Sequence, residues 1–302
     1  MWDILIIGGG AAGLTAAIYG ARASKRVLVL EKGVYGGQIV TAQEIENYPG
    51  IRHIAGAEFA MTLYEQAKAM GAQFALEPAT SIQIQGDNRI VVTPQNEYHT
   101  RTVVIATGAK NRPLGLPREE ELVGHGISYC ATCDGAFFKD KAVAVVGGGN
   151  TALDDALFLS HRSRVMLIHR RDTFRGEPQK AAQVRQTDNI QILYDSVVTA
   201  LHGETSLSAI TVESRRNGEV RQIPVSGLFV AIGQMPDNNA FRSVVAMDAQ
   251  GYILADETGR TRTPGVFAAG DCRQKRVRQL STAAGDGTIA ALEACAYIDI
   301  RQ

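Results

Sequence analysis

Twice in this chain an apolar run breaks into a glycine turn that opens a helix. Residues 4–7 are apolar, Gly8-x-Gly10-x-x-Gly13 follows, and an alanine-rich helical stretch runs to about Ala23. Residues 142–146 are apolar, Gly147-x-Gly149-x-x-Ala152 follows, and residues 150–161 keep helical spacing. In such a turn the first glycine permits the tight bend and the second admits a pyrophosphate to the backbone. The third lets helix and strand pack closely, which alanine still allows. The phosphate then rests among the free N–H groups of the helix N-terminus. Further apolar runs, 27–30 and 165–168, come after each helix. Alternating βαβ units specify a doubly wound parallel sheet. Seeing the unit twice specifies an α/β chain of two Rossmann-like nucleotide-binding domains. A length of 302 residues suits two domains.

The two copies differ where the second strand ends. Glu31 lies 23 residues after Gly8, and Arg170 lies 23 residues after Gly147. An acid at that position accepts hydrogen bonds from ribose hydroxyls and repels a 2′-phosphate, whereas arginine favours the phosphate and hence NADP. The run His169-Arg170-Arg171-Asp172-Thr173-Phe174-Arg175 supplies three guanidiniums. Residues 161–185 hold seven Lys or Arg against two Asp or Glu. A plain solvated basic face is the competing reading.

Cys130-Ala131-Thr132-Cys133-Asp134 lies just before the second glycine turn. Two cysteines at this spacing can close a small redox-active disulfide. Exchange needs a thiolate attacker and a proton for the leaving thiolate, and Asp134 is adjacent. Half a zinc site and two buried packing cysteines are the rivals, and no second Cys or His pair completes tetrahedral ligation. The other histidines show no ligand spacing, so no metal is expected. Cys272 and Cys295 read as small buried hydrophobes.

Thr263-Pro264-Gly265-Val266-Phe267-Ala268-Ala269-Gly270-Asp271 reads as a strand ending in a glycine turn with one acid. Asp271 could hold a flavin's ribityl chain, with the N-terminus of a helix from about Ser281 pointed at the flavin; a plain turn is the competing reading. Residues 73–104 and 207–225 alternate in short segments, which reads as antiparallel additions, the second turning near Asn217-Gly218. Proline-bearing stretches at 111–117 and 234–239 read as linkers. They make the middle domain an insertion into the first, with two neighbouring crossings as a hinge.

Lys plus Arg equals Asp plus Glu at 31 each, so a bulk-charge nucleic-acid or polybasic membrane partner is not expected. Residues 4–21 carry no charge and approach the length of a membrane span. Three glycines interrupt them and no positive n-region precedes them. The stretch therefore reads as strand, turn and helix, and the chain as soluble and cytoplasmic.

These residues together resemble the low-molecular-weight bacterial thioredoxin reductases, essentially end to end. The carriers are GGGAAG at Gly8, GGQ at Gly36, ENYPG at Glu46, ATGA at Ala106 and CATCDG at Cys130. They continue with GGGNTA at Gly147, HRRDTFR at His169, FVAIGQMPD at Phe229 and TPGVFAAGD at Thr263. The resemblance implies an FAD domain from 1–112 and 240–302, with an NADPH domain at 113–239 inserted into it. It implies FAD contacts from Gly8, Gly10, Gly13, Glu31, Gln38, Asn47, Asp271, Arg278, Gln279 and Leu280. It implies NADPH contacts from Gly147, Gly149, Asn150 and Thr151, with Arg170, Arg171 and Arg175 on the 2′-phosphate. Cys133 would face the flavin, Cys130 would attack the thioredoxin disulfide, and Asp134 would donate the proton. A homodimer is implied too. The chain departs from the family's habits at Arg118 (often glycine), Val277 (often aromatic), Asp154 and Asp155 (usually glutamates) and Cys272 (usually aliphatic). Three alternatives stay open: a reductase of another disulfide protein, a small-molecule dithiol oxidase, and a non-catalytic flavin-binding sensor.

Overall fold

The computed structural model describes residues 1–42 and 44–301. Gln43 and Gln302, the last residue of the expected 240–302 segment, lie outside it. Two compact units emerge: residues 1–110 with 235–302, and residues 111–234.

The outer unit begins with β1 (Trp2–Ile7), α1 (Ala11–Arg22) and β2 (Val27–Leu30), followed by α2 (Gly56–Ala69) and β3 (Gln73–Ala75). Then come β4 (Ser81–Gln85), β5 (Asn88–Val92), β6 (Glu97–Ile105) and β7 (Ala109–Asn111). The sheet order is β3-β2-β1-β6-β5-β4. β1, β2 and β3 pair in parallel, and β1 pairs in parallel with β6. β4, β5 and β6 are antiparallel. The antiparallel addition expected across 73–104 therefore starts later, because Gln73–Ala75 joins β2 in parallel. β1 shows why its run is continuously apolar. Ile4 and Ile6 pack with Ala16 and Ala290 on one face of the sheet. Leu5 and Ile7 pack with Val91, Phe241 and Ile253 on the other. A strand covered on both faces has no polar side to show.

The inner unit holds α3 (Glu119–Leu122), β8 (Ile127–Ser128), α4 (Ala131–Asp134), β9 (Ala142–Gly147), α5 (Asn150–Ser160) and β10 (Arg164–Ile168). It continues with α6 (Pro178–Gln186), β11 (Ile190–Leu193), β12 (Ser196–His202), β13 (Ala209–Ser214), β14 (Val220–Pro224), β15 (Gly227–Ala231) and β16 (Gln234–Pro236). β11-β10-β9-β15-β8 form a wholly parallel sheet, repeating the β3-β2-β1 order of the outer unit. β12-β13-β14 form an antiparallel sheet whose Val198, Ile210 and Val212 pack with Ala144 and Val146 of β9. β7 and β16, the two crossings between the units, pair as a two-stranded ribbon.

The chain then returns through β17 (Val266–Ala268) to α7 (Leu280–Asp299). β17 pairs in parallel with residues 103–105 of β6, whose earlier half holds β5. The inner unit ends at Gln234, five residues before the expected 239. The physical reason is Asn238, which accepts from the Thr107 hydroxyl at 2.8 Å. It also donates to the carbonyls of Gly251 at 2.9 Å and Cys272 at 3.0 Å. These bonds tie residue 238 into the outer unit.

Candidate functional site

In the outer unit, Gly8 turns at φ +108°, and a Cβ there would lie 2.3 Å from the Ala106 carbonyl oxygen. A Cβ on Gly13 would lie 1.8 Å from the Gly8 oxygen, so only glycine lets α1 sit this close to β1. Gly10 begins α1 with no side-chain cap and no acid in the first turn, and a Cβ there would meet only the Gly36 oxygen, at 3.9 Å. Its N-terminal donors stay open to an anion. The Glu31 carboxylate accepts from Gly9 N–H at 2.7 Å and Gly33 N–H at 2.9 Å. It thus braces the turn as well as standing at the strand end.

The later motif converges on the same unit. One oxygen of Asp271, Oδ1, is buried with no hydrogen-bond partner among the described residues. Burial pushes its carboxyl up, while Lys275 and Arg278 pull it back. An orphaned buried acceptor costs roughly 1–3 kcal/mol. A ligand hydroxyl would remove that cost, so the residues present fit a ribityl-bearing group. Arg278 lies over the Tyr252 ring at 4.2 Å. Asn47 Nδ2 donates to Gln279 Oε1 at 3.4 Å across 232 residues. Gln279 caps α7, which starts at Leu280. Gln38 donates to the Ala109 carbonyl. Asp286 was not legible in the sequence. It accepts from Gly270 N–H at 3.0 Å and pairs with Lys275 at 2.9 Å, which fixes the turn carrying Asp271.

In the inner unit, Cys130 and Cys133 form a disulfide with Cα atoms 5.3 Å apart. Cys130 caps α4, its carbonyl accepting from the N–H groups of Cys133 at 3.2 Å and Asp134 at 3.1 Å. Burial pushes the Asp134 carboxyl up, so it keeps its proton to higher pH than an ordinary acid. Ser128 was missed by the sequence reading. Its hydroxyl donates to Asp134 Oδ2 at 2.5 Å and accepts from Cys130 N–H at 3.0 Å, tying the acid to the cysteine. A serine two residues before a redox cysteine is the signal that pointed there. A hydrogen bond to the carboxylate stabilises the charged form and opposes the upward shift. Ser128→Ala is therefore expected to raise the Asp134 pKa further. If Asp134 supplies a proton during disulfide exchange at Cys130–Cys133, the limb of that reaction's pH profile that needs protonated Asp134 should move alkaline. A profile unchanged in position, at unchanged stability, would refute this positioning.

The second glycine turn repeats the first. A Cβ on Gly147 would lie 2.4 Å from the Ala231 oxygen and 2.6 Å from Ala152 Cβ. Gly149 begins α5 with no side-chain cap, and a Cβ there meets nothing within 4 Å. Asn150 is engaged within the chain, exchanging hydrogen bonds with Glu177 at 2.7 and 2.9 Å. Thr151 is exposed on α5. Beyond β10, Arg170 and Arg171 line a cavity of about 640 Å³ with Asp172, Asp195, Arg215 and Arg216. Arg175 is not in its walls, and its backbone N–H donates to the Gly148 carbonyl at 2.7 Å. His169 is buried, its ring packed against Gly148, and burial lowers its pKa. At the surface of the outer unit, ligand atoms of Glu44, Glu46 and His53 come within 4.8 Å of one another, all of them exposed.

All but one of the departures have physical accounts. Arg118 sits at φ +67°, a conformation glycine takes freely and other residues at roughly 1–2 kcal/mol. Its guanidinium donates to the Gly203 carbonyl at 2.5 Å and the Glu204 carbonyl at 2.7 Å. At about 1 kcal/mol each, these bonds offset the strain. Lys180 pairs with Asp154 at 2.7 Å. Burial, with the charge of Asp154, pushes Asp155 up to about 7. Cys272 is buried, donates to the Ile105 and Ala269 carbonyls, and is pushed up to about 11 by burial. Val277 is exposed, and nothing in the structure explains it. Glu119, also buried, accepts from the N–H groups of Leu114, Gly115 and Leu116 and from the Tyr129 hydroxyl. Burial and that bond raise the Tyr129 phenol.

Residues 2–287 match the profile of the pyridine nucleotide-disulphide oxidoreductase family. The chain is 41% identical over 303 residues to the thioredoxin reductase of Treponema pallidum, covering 100% of this chain and 98% of that one. It is 37% identical over 301 residues to the thioredoxin reductase of Bacillus subtilis, covering 99% and 95%. The crystal structure of thioredoxin reductase from Streptococcus pyogenes superposes with a TM-score of 0.95 at 40% identity, covering 99% of each chain. No helix among the described residues is long and apolar enough to cross a membrane.

Proposed function

The chain belongs to the pyridine nucleotide-disulphide oxidoreductases, and among them to the thioredoxin reductases. From that premise we propose how its own residues carry NADPH-dependent reduction of thioredoxin. FAD held in the outer unit would supply the two-electron chemistry that links NADPH to the Cys130–Cys133 disulfide. The outer unit is the FAD domain. Gly8, Gly10 and Gly13 would admit the pyrophosphate at the start of α1, Glu31 would accept from the ribose, and the unpartnered Asp271 oxygen would accept from the ribityl chain. Gln38, Asn47, Arg278, Gln279 and Leu280 complete the wall. The inner unit is the NADPH domain, with Gly147 and Gly149 at the pyrophosphate and Arg170 and Arg171 on the 2′-phosphate. Asn150, Thr151 and Arg175 lie around that turn.

Two electrons and two protons convert the Cys130–Cys133 disulfide to a dithiol. The Cys130 thiolate attacks one sulfur of the thioredoxin disulfide and expels the other as a thiolate, which takes a proton from Asp134. The Cys133 thiolate then attacks Cys130 Sγ. This restores the disulfide and releases the second thioredoxin sulfur; of the two protons that Cys130 and Cys133 give up, one returns Asp134 to its acid form and the other protonates that sulfur. The family's homodimer is part of this reading, and so is a soluble, cytoplasmic enzyme.

The observation that carries the reading is the Cys130–Cys133 disulfide with the buried, raised Asp134 at its side in the inner unit. The test is NADPH-dependent reduction of thioredoxin run beside NADH and reduced ferredoxin. Turnover with NADPH well above both is expected. Turnover only with ferredoxin would overturn the reading.

A further inference from the structure

Two arginines outside the strand-end run stand in the wall of the Arg170–Arg171 cavity. We propose that Arg215 and Arg216 belong to the 2′-phosphate pocket, so that guanidiniums from two separate elements set the preference for NADPH. The proposal rests on reading that cavity as the phosphate site of NADPH.

The placement is built by backbone. Arg215 and Arg216 begin the turn that links β13 to β14. Ser214, at the end of β13, pairs in register with Ser196 of β12, and Ser196 N–H donates to the His169 carbonyl at 3.0 Å. Asp195 N–H donates to the Arg171 carbonyl at 3.1 Å, and Arg215 N–H donates to the Asp195 carbonyl at 2.5 Å. Arg215 Nη1 reaches the Arg170 carbonyl at 3.5 Å. The turn is thus stitched directly to the segment after β10. Asp195 makes that joint at φ +48°, so its backbone is spent on holding the two elements together.

The charge arithmetic of the wall suits a dianion. Its six residues are four arginines and two aspartates, a balance of +2. A phosphate monoester carries about −1.5 to −2 at neutral pH. NADH offers only a hydroxyl at that position, which neutralises none of it. Guanidiniums also match phosphate oxygens in a planar fork. Removing Arg215 and Arg216 leaves two arginines against two aspartates and a neutral wall.

The test compares an R215A/R216A variant with an R170A/R171A variant and the parent holoenzyme. Two readouts are used: the KM for NADPH and for NADH in thioredoxin reduction, and calorimetric binding of adenosine 2′-monophosphate. For R215A/R216A, the NADPH KM should rise about tenfold or more and binding of the nucleotide should weaken in step, while kcat/KM with NADH stays within about twofold. R215K/R216K should recover part of the loss. If only R170A/R171A shifts NADPH, the proposal is overturned and the phosphate reading of the cavity stands. If neither variant shifts it, that reading falls and the proposal with it. Equal loss of NADPH and NADH in R215A/R216A would assign the pair to folding of the turn and would also overturn the proposal.

Discussion

Cys130→Ser should abolish thioredoxin turnover, by about three orders of magnitude or more, while NADPH still bleaches the bound flavin. Cys133→Ser should do the same, because either change removes the disulfide that accepts the electrons. The two variants should then differ. With Cys133 gone, a mixed disulfide between Cys130 and thioredoxin has no resolving thiol and should accumulate, visible on a non-reducing gel. With Cys130 gone, the attacking sulfur is lost and little adduct should form. Turnover near the parent rate in either variant would refute the redox assignment. Adduct only in the Cys130→Ser protein would reverse the two roles.

Gly13→Ala should cost about 3 kcal/mol or more and yield poorly folded, flavin-free protein. The added Cβ would stand 1.8 Å from the Gly8 oxygen and 3.0 Å from its carbonyl carbon. Both are backbone atoms of the strand–turn joint, so no side chain can step aside, and the cost falls at the top of the range for overpacking. Gly149→Ala is the informative contrast. Its backbone is extended and a Cβ there meets nothing within 4 Å, so the fold should survive with a small loss of N-cap preference, below about 1 kcal/mol. The methyl would instead occupy the space where a pyrophosphate approaches. KM for NADPH should rise while thermal stability and flavin content stay near the parent's. Normal flavin content in Gly13→Ala would show that the helix can move off the strand. Unchanged NADPH KM in Gly149→Ala would place the pyrophosphate elsewhere.

Much of this was legible because the devices are local. A strand, a glycine turn and a helix start within about ten residues, and the requirement for glycine is set by atoms of the same turn. The paired acid and arginine after each second strand follow from equal spacing on equal architecture. The disulfide spans three positions. The inner unit's edge was less legible. Residues 234–239 contain a proline and read as a linker, yet Asn238 is held by three bonds to residues 107, 251 and 272. Arg175 shows the same limit. It shares the basic run with Arg170 and Arg171, but its backbone is drawn over the glycine turn and it is absent from the cavity wall.

The chain's sequence by itself determined the two glycine turns, the CxxC pair with its neighbouring acid, and the opposite charges that distinguish the two copies. Each is a matter of backbone sterics or of side chains a few residues apart. Only the tertiary structure decided which distant groups complete those sites. It brought Asn47 to Gln279, Asp286 beneath the Asp271 turn, and Arg215 to Arg170. It also left one oxygen of Asp271 buried without a donor. Such partnerships depend on strand order and on the backbone hydrogen bonds between elements. A linear pattern of residues does not record them, because many partners of equal chemistry lie at equal distance along the chain.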